Sequence, residues 1–135
     1  MRCEYNFYLT SDRLLDIEFL FVDMGENIGW RAYIISDINY RQFGERSIIY
    51  TVTHRLEDSD ADRVSKINRF LKSIDSSKPD KSIYGYICWS KPIYDLDDMH
   101  EVAKTWSEIT AYYIRHGGSF GSIQPILKSR GIINL

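Results

Sequence analysis

The sequence contains few cysteines and no long apolar segment. Its two cysteines, Cys3 and Cys88, are too few and too far apart for a disulfide framework or a CxxC metal site, so we expect two free thiols. No stretch approaches the roughly 20 apolar residues needed to cross a bilayer. The first residues also lack the basic and then apolar regions of a signal peptide. These absences predict a cytoplasmic protein that does not span a membrane.

The chain also lacks a large excess of charge of either sign. It has 19 acidic and 17 basic residues, for a formal net charge of −2. This near-balance excludes both a strongly basic nucleic-acid-binding protein and a highly acidic mimic of DNA. A length of 135 residues, of which 44% are apolar, predicts one domain with one hydrophobic core over residues 1–135.

Residue alternation and composition predict five β-strands. The segment from Glu4 to Thr10 alternates with a two-residue period. The segment Leu14–Met24 is ambiguous, because Ser11 could cap a helix there, but its aromatic and β-branched composition favours a strand over Ile17–Asp23. Three further strands are predicted over Trp30–Ser36, Ser47–Thr53 and Ile83–Trp89.

Apolar residues spaced by three and four predict two long α-helices. The first runs from Asp60 to Ile74, and Ser59 with Asp62 resembles a capping box at its start. The second and longest begins after the capping residue Asp95 and ends before Gly117, which suits the position that follows a helix.

A short C-terminal helix over Ile123–Arg130 completes the element order β-β-β-β-α-β-α-α. This order predicts an α+β domain with a mainly antiparallel sheet of about five strands, two long helices and the short C-terminal helix. We expect the helices to pack on one face of the sheet.

Acidic residues are concentrated at the starts of the two long helices. They are Glu57, Asp58, Asp60 and Asp62 at the first helix, and Asp95, Asp97, Asp98 and Glu101 at the second. Helix capping explains part of each group but leaves Glu57, Asp58 and Glu101 unexplained. If both helices pack the same way on the sheet, the two groups form one acidic rim, which would attract a basic partner by long-range steering.

Tyrosine is unusually frequent, with 10 residues against 6 phenylalanines and 3 tryptophans. Periodicity predicts that a first group is buried or half-buried: Tyr5, Tyr84, Tyr86 and Tyr113. A second group lies on polar faces or in loops and is predicted to be exposed: Tyr8, Tyr33, Tyr40, Tyr94 and Tyr112. Tyrosine is enriched at protein interfaces, since it brings a large contact area and a polar tip.

The acidic residues and the exposed tyrosines together predict a non-enzymatic protein-binding module that needs no metal or cofactor. Toxin-immunity proteins and anti-defence proteins of phages or mobile genetic elements, such as anti-CRISPRs, are small proteins of this kind. We therefore expect an inhibitor of a basic nucleic-acid-handling protein, for instance a nuclease. Direct nucleic-acid binding is not expected, because the basic residues of the first helix are spread around it. The same features are also compatible with a homodimer.

The alternative is a small enzyme or a binder of an anion or a metal ion. The loop Gly117–Ser122 precedes the last helix and offers backbone N–H groups to an anion. Asp97, His100 and Glu101 share one helix face and could approach a divalent ion, and Cys88 is a candidate nucleophile. A connecting loop, a capped helix start and a buried strand position explain the same residues without any chemistry.

Overall fold

The computed structural model describes all 135 residues and contains five strands and three helices. In chain order they are β1 (Cys3–Leu9), β2 (Asp16–Asp23), β3 (Trp30–Ile34), β4 (Arg55–Asp58), α1 (Ala61–Ile74), β5 (Tyr84–Ile87), α2 (Leu96–His116) and α3 (Phe120–Ser129). The predicted α+β class and element order are confirmed, and the ambiguous segment before Met24 is a strand.

The five strands form one antiparallel sheet in the order β1-β2-β3-β5-β4. In the register of this sheet, Phe19 of β2 lies between Asn6 of β1 and Ile34 of β3. β1 and β4 are the two edge strands. β5 follows α1 in the chain and lies between β3 and β4 in the sheet. Helix α1 therefore connects the edge strand β4 to its inner neighbour β5.

Helices cover both faces of the sheet, so the expectation that they share one face is wrong. Phe19 and Phe21 of β2 belong to a core with α2 and α3, whereas Leu20 and Val22 belong to a second core with α1. Successive side chains of a strand point to opposite faces, and a strand buried on both faces has a nearly continuous apolar sequence. The run Ile17–Val22, interrupted only by Glu18, has this composition.

The first long helix is capped by a different residue than predicted. The Asp60 side chain, not that of Ser59, accepts a hydrogen bond from the backbone N–H of Arg63 at 3.0 Å. Asp60 and Arg63 are three residues apart, which is the spacing of a capping interaction. The helix ends at Ile74 as predicted and begins at Ala61, one residue after the predicted start, and its apolar face is buried at Val64, Ile67 and Leu71.

The predicted strand Ser47–Thr53 is wrong, because this segment is irregular and ends in tight turns. The backbone N–H groups of Val52 and Thr53 both bond to the carbonyl of Ile49 at 3.0 Å. The Arg55 guanidinium lies 4.1 Å from the Tyr50 ring centre and holds the segment in place. The strand lies farther along the chain, at Arg55–Asp58, where it pairs with β5. High β-propensity produces a strand only where a neighbouring strand is available.

No helix of the structure combines the length and the apolar composition that crossing a membrane requires.

Candidate protein-binding surface

The start of α2 presents an exposed group of carboxylates. The Asp95 side chain caps the helix by accepting hydrogen bonds from the backbone N–H groups of Asp97 at 2.8 Å and Asp98 at 3.2 Å. All three side chains are exposed, and Glu101 follows one turn later and is half-buried. We call Asp95, Asp97, Asp98 and Glu101 the α2 acidic cluster.

No basic side chain neutralises the α2 acidic cluster. The structure has ten ion pairs, and none of them involves a member of this cluster. Tyr94 lies directly before the cluster and is 63% exposed, the largest exposure among the large apolar and aromatic side chains. The cluster therefore combines unpaired negative charge with an accessible aromatic ring.

The acidic residues at the start of α1 are used differently. Asp58 is only 3% exposed, so the prediction that it belongs to an acidic surface is wrong. Its carboxylate accepts hydrogen bonds from Tyr33 Oη at 2.5 Å, from Arg63 Nε at 2.9 Å and from Arg31 at 3.2 Å. Burial by itself raises the pKa of Asp58, but the hydrogen bonds from Arg63 and Tyr33 outweigh it and lower the pKa to about 2.

The other acids at the start of α1 stay on the surface. Asp60 caps the helix and lies 3.9 Å from the Arg63 guanidinium, so its charge is partly compensated. Glu57 and Asp62 are exposed and have no ion pair. Only these two residues of the α1 group therefore present uncompensated charge to a partner.

The two acidic groups do not form one rim, because α1 and α2 pack on opposite faces of the sheet. They also lie at opposite ends of the β4–β5 pair. Asp58 pairs with Tyr84, where β5 begins, whereas α2 follows the other end of β5, beyond Ile87. A single flat partner surface therefore meets one group or the other.

Burial separates the five tyrosines that were predicted to be exposed. Tyr33 and Tyr40 are 0% and 4% exposed, so the prediction is wrong for both. Tyr33 lies under α1 and donates its hydroxyl to Asp58, and Tyr40 packs against Tyr113 in the core with α2. The sequence had indicated the polar face of a strand for Tyr33 and a loop for Tyr40.

The remaining predicted tyrosines are more accessible: Tyr8 and Tyr112 are half-buried, and Tyr94 is exposed. The tyrosines predicted to be buried or half-buried are confirmed: Tyr5, Tyr84, Tyr86 and Tyr113.

In the alternative enzymatic or ligand-binding site, Asp97 and His100 lie far from the loop Gly117–Ser122. Asp97 and His100 lie in the first turns of α2, whereas Gly117–Ser122 follows its last residue, about 25 Å away at about 1.5 Å per residue. His100 bonds to Glu4 of β1 at 2.5 Å, and Cys88 is half-buried without a side-chain hydrogen bond. No three His, Cys, Asp or Glu side chains converge in a way that could hold a metal ion.

A groove between β1 and α2 was not foreseen from the sequence. It has a volume of about 270 Å³, and its lining includes Phe19 and Phe21 from β2, Tyr8 from β1, and Glu101 and Lys104 from α2. The spacing of Glu101, Lys104 and Glu108 could have indicated a common helix face. Nothing in the sequence indicates that this face lies against β1.

The far end of the same helix face is tied to the chain just after β1. Glu108 is buried and accepts hydrogen bonds from the backbone N–H of Ser11 at 2.5 Å and from the hydroxyl of Tyr8 at 3.2 Å. Burial, and then the negative charges of Glu108 and Glu101, raise the pKa of Tyr8. Tyr8 therefore lies close to two carboxylates, Glu108 and the groove residue Glu101.

No protein family model matches this chain, and no curated protein or solved structure is detectably similar to it. The fold and the surface described above therefore define only a class, an α+β domain with an unpaired acidic helix start.

Proposed function

We propose that this chain is a non-enzymatic protein-binding module that uses the α2 acidic cluster to hold a partner with a basic surface. One observation carries the proposal: Asp95, Asp97, Asp98 and Glu101 make no ion pair in a protein that pairs charges at ten other places. Uncompensated charge on one patch steers an oppositely charged partner and increases its association rate.

The exposed ring of Tyr94 supports the same surface. Aromatic side chains in interface centres contribute much of the binding energy, and a charged surround contributes specificity. Tyr94 and the exposed acids of α2 are adjacent in the chain, so one partner can contact all of them. The buried residues Asp58, Tyr33 and Tyr40 have no place in this surface.

We propose further that the partner is a nucleic-acid-handling protein, such as a nuclease, and that the chain inhibits it. Proteins that bind nucleic acids carry basic surfaces that contact phosphates. An acidic patch that covers such a surface competes with the nucleic acid directly. A toxin-immunity protein and an anti-defence protein of the anti-CRISPR type both act in this way.

Affinity capture from the source cell, followed by reconstitution with the purified captured protein, tests the proposal. We expect a stoichiometric complex whose affinity falls at least about tenfold between about 50 and 500 mM salt, because surface charges are screened over the shorter Debye length. The captured protein should lose nuclease or nucleic-acid-binding activity in the complex. An affinity that does not change with salt would contradict the acidic surface.

A pair of charge-reversal variants localises the surface. The double variant Asp97→Lys/Asp98→Lys should abolish the complex. The control Asp16→Lys/Asp62→Lys changes the net charge equally at two exposed acids without ion pairs that lie outside α2. It should bind as the unmodified chain does. Equal loss in both variants would indicate a general effect of net charge and would refute the assignment to α2.

A further inference from the structure

The groove between β1 and α2 has the size and the walls of a pocket for one side chain. Its volume of about 270 Å³ lies just below the range of about 300–1,000 Å³ that is typical of pockets for drug-sized ligands. Aromatic rings line it, among them Phe7, Tyr8, Phe19 and Phe21. Such walls suit the apolar stem of a long side chain and a flat group that stacks on rings.

A carboxylate with an unmet hydrogen-bonding requirement belongs to this groove. Oε2 of Glu101 is buried and has no hydrogen-bond partner in the structure. Burying a polar atom without a partner is unfavourable, and buried side-chain oxygens in folded proteins nearly always have one. Glu101 lines the groove, so a donor group bound there can supply the missing partner if the side chain turns its buried oxygen toward the groove.

The other charged groups around the groove are already engaged, with one exception. Glu4 is bonded to His100, and Glu108 is bonded to Ser11 and Tyr8. Lys104 lines the groove and makes no ion pair, although it lies only three residues after Glu101. Glu101 therefore remains the unpaired acceptor, and Lys104 is the cation of the chain itself that would compete with a bound cationic ligand for this carboxylate.

We propose that the groove binds a single arginine side chain of the basic partner, with Glu101 as its carboxylate. This inference rests on the proposed function, because it assigns the partner's side chain to a particular place beside the acidic surface. Arginine fits better than lysine, since its planar guanidinium stacks on aromatic rings and donates two parallel hydrogen bonds to one carboxylate.

A capped amino acid tests the groove without the partner. N-acetyl-arginine amide is titrated into the isotopically labelled chain, and backbone amide shifts are followed by NMR. N-acetyl-citrulline amide has nearly the same shape but no charge, so it serves as the control ligand. We expect saturable shifts at residues 6–8 and 100–104 with the arginine compound, and binding about 10- to 100-fold weaker with the citrulline compound.

Two variants identify the carboxylate and its competitor. Glu101→Gln should weaken binding of the capped arginine about tenfold or more, and Lys104→Met should strengthen it. The control Glu57→Gln removes an exposed acid outside the groove and should leave binding unchanged. Glu101→Gln should also leave the melting temperature of the free chain unchanged or raised. A lowered melting temperature would mean that Glu101 has a structural role.

The location of the shifts separates this inference from the proposed function. Shifts confined to residues 95–98, equal shifts with both compounds, or no saturable shift in the groove would overturn the arginine site while leaving the acidic surface intact. Conversely, Asp97→Lys/Asp98→Lys should still bind the capped arginine in the groove. If the unmodified chain binds the capped arginine in the groove but forms no salt-sensitive complex with any basic partner, the proposed function alone is refuted.

Discussion

At the scale of single residues, the position of each carboxylate decides whether it stabilises the fold or faces a partner. Asp58 and Asp98 both precede or begin a helix and look equivalent in the sequence. Asp58 is buried against Tyr33, Arg31 and Arg63, whereas Asp98 is exposed without an ion pair. The same side chain is therefore structural in one place and available for binding in the other.

Replacing Asp58 by asparagine should strongly destabilise the protein. The change removes the charge that compensates Arg31, which is itself largely buried, and it weakens the hydrogen bonds from Arg31, Tyr33 and Arg63. We expect a loss of about 3 kcal/mol in the free energy of unfolding at pH 7, measured by urea denaturation. Glu57→Gln, on the same strand but exposed, should change it by less than about 0.5 kcal/mol. Similar losses in both variants would contradict this assignment.

The destabilisation caused by Asp58→Asn should also depend on pH. The pKa of Asp58 is lowered from 3.8 to about 2 in the folded state, so the folded protein favours the charged form. The stabilisation by the carboxylate is complete above pH 3.8 and disappears as the pH falls through 2. Urea denaturation of both proteins between pH 7 and pH 2 should show converging stabilities, and a constant difference would contradict the pairing of Asp58.

At the scale of elements, α2 both stabilises the fold and carries the proposed surface. It runs for 21 residues, with Met99, Val102 and Trp106 in the core and its acidic first turn exposed. Asp95 is part of both functions because it caps the helix and carries a charge. The two contributions of this residue can be separated by a change that keeps the cap.

Asp95→Ala should lower the free energy of unfolding by about 1 kcal/mol, because it removes the acceptor for two backbone N–H groups. Asp95→Ser keeps a good N-cap while removing the charge, so its stability should lie within about 0.5 kcal/mol of the unmodified chain. Urea denaturation measures both. If the serine variant is as unstable as the alanine variant, the charge rather than the cap stabilises α2.

At the scale of the whole molecule, one sheet supports two cores that cannot unfold independently. β2 contributes Phe19 and Phe21 to one core and Leu20 and Val22 to the other. Loss of either helix layer therefore exposes apolar side chains of the same strands. We expect a single cooperative unfolding transition.

Truncation of one residue in each core tests this coupling. Ile67→Ala in the α1 core and Ile114→Ala in the α2 core remove fully buried side chains, and each should cost about 2–5 kcal/mol. Ile74→Ala, at a position 48% exposed, should cost less than about 1 kcal/mol. Fluorescence and circular dichroism should give coincident transitions in all three variants. Separate transitions in either core variant would show that the two layers unfold independently.

Local patterns predicted most of the secondary structure because they depend on neighbours in the chain. The three-and-four spacing of α1 and α2 and the alternation of β1 are properties of short segments, and these elements formed where expected. Ser47–Thr53 has the composition of a strand but lacks a neighbouring strand to pair with. Its turns and the contact between Arg55 and Tyr50 depend on residues that the segment itself does not contain.

The sequence by itself determined the α+β class, the element order and the acidic start of α2, because periodicity and helix caps are local signals. Only the tertiary structure decided that α1 and α2 lie on opposite faces, that Tyr33 and Asp58 are buried together, and that Glu101 lines a groove against β1. These features join residues far apart in the chain. Their formation depends on which faces of the helices and the sheet pack together. The identity of a residue and of its neighbours in the chain does not contain that information.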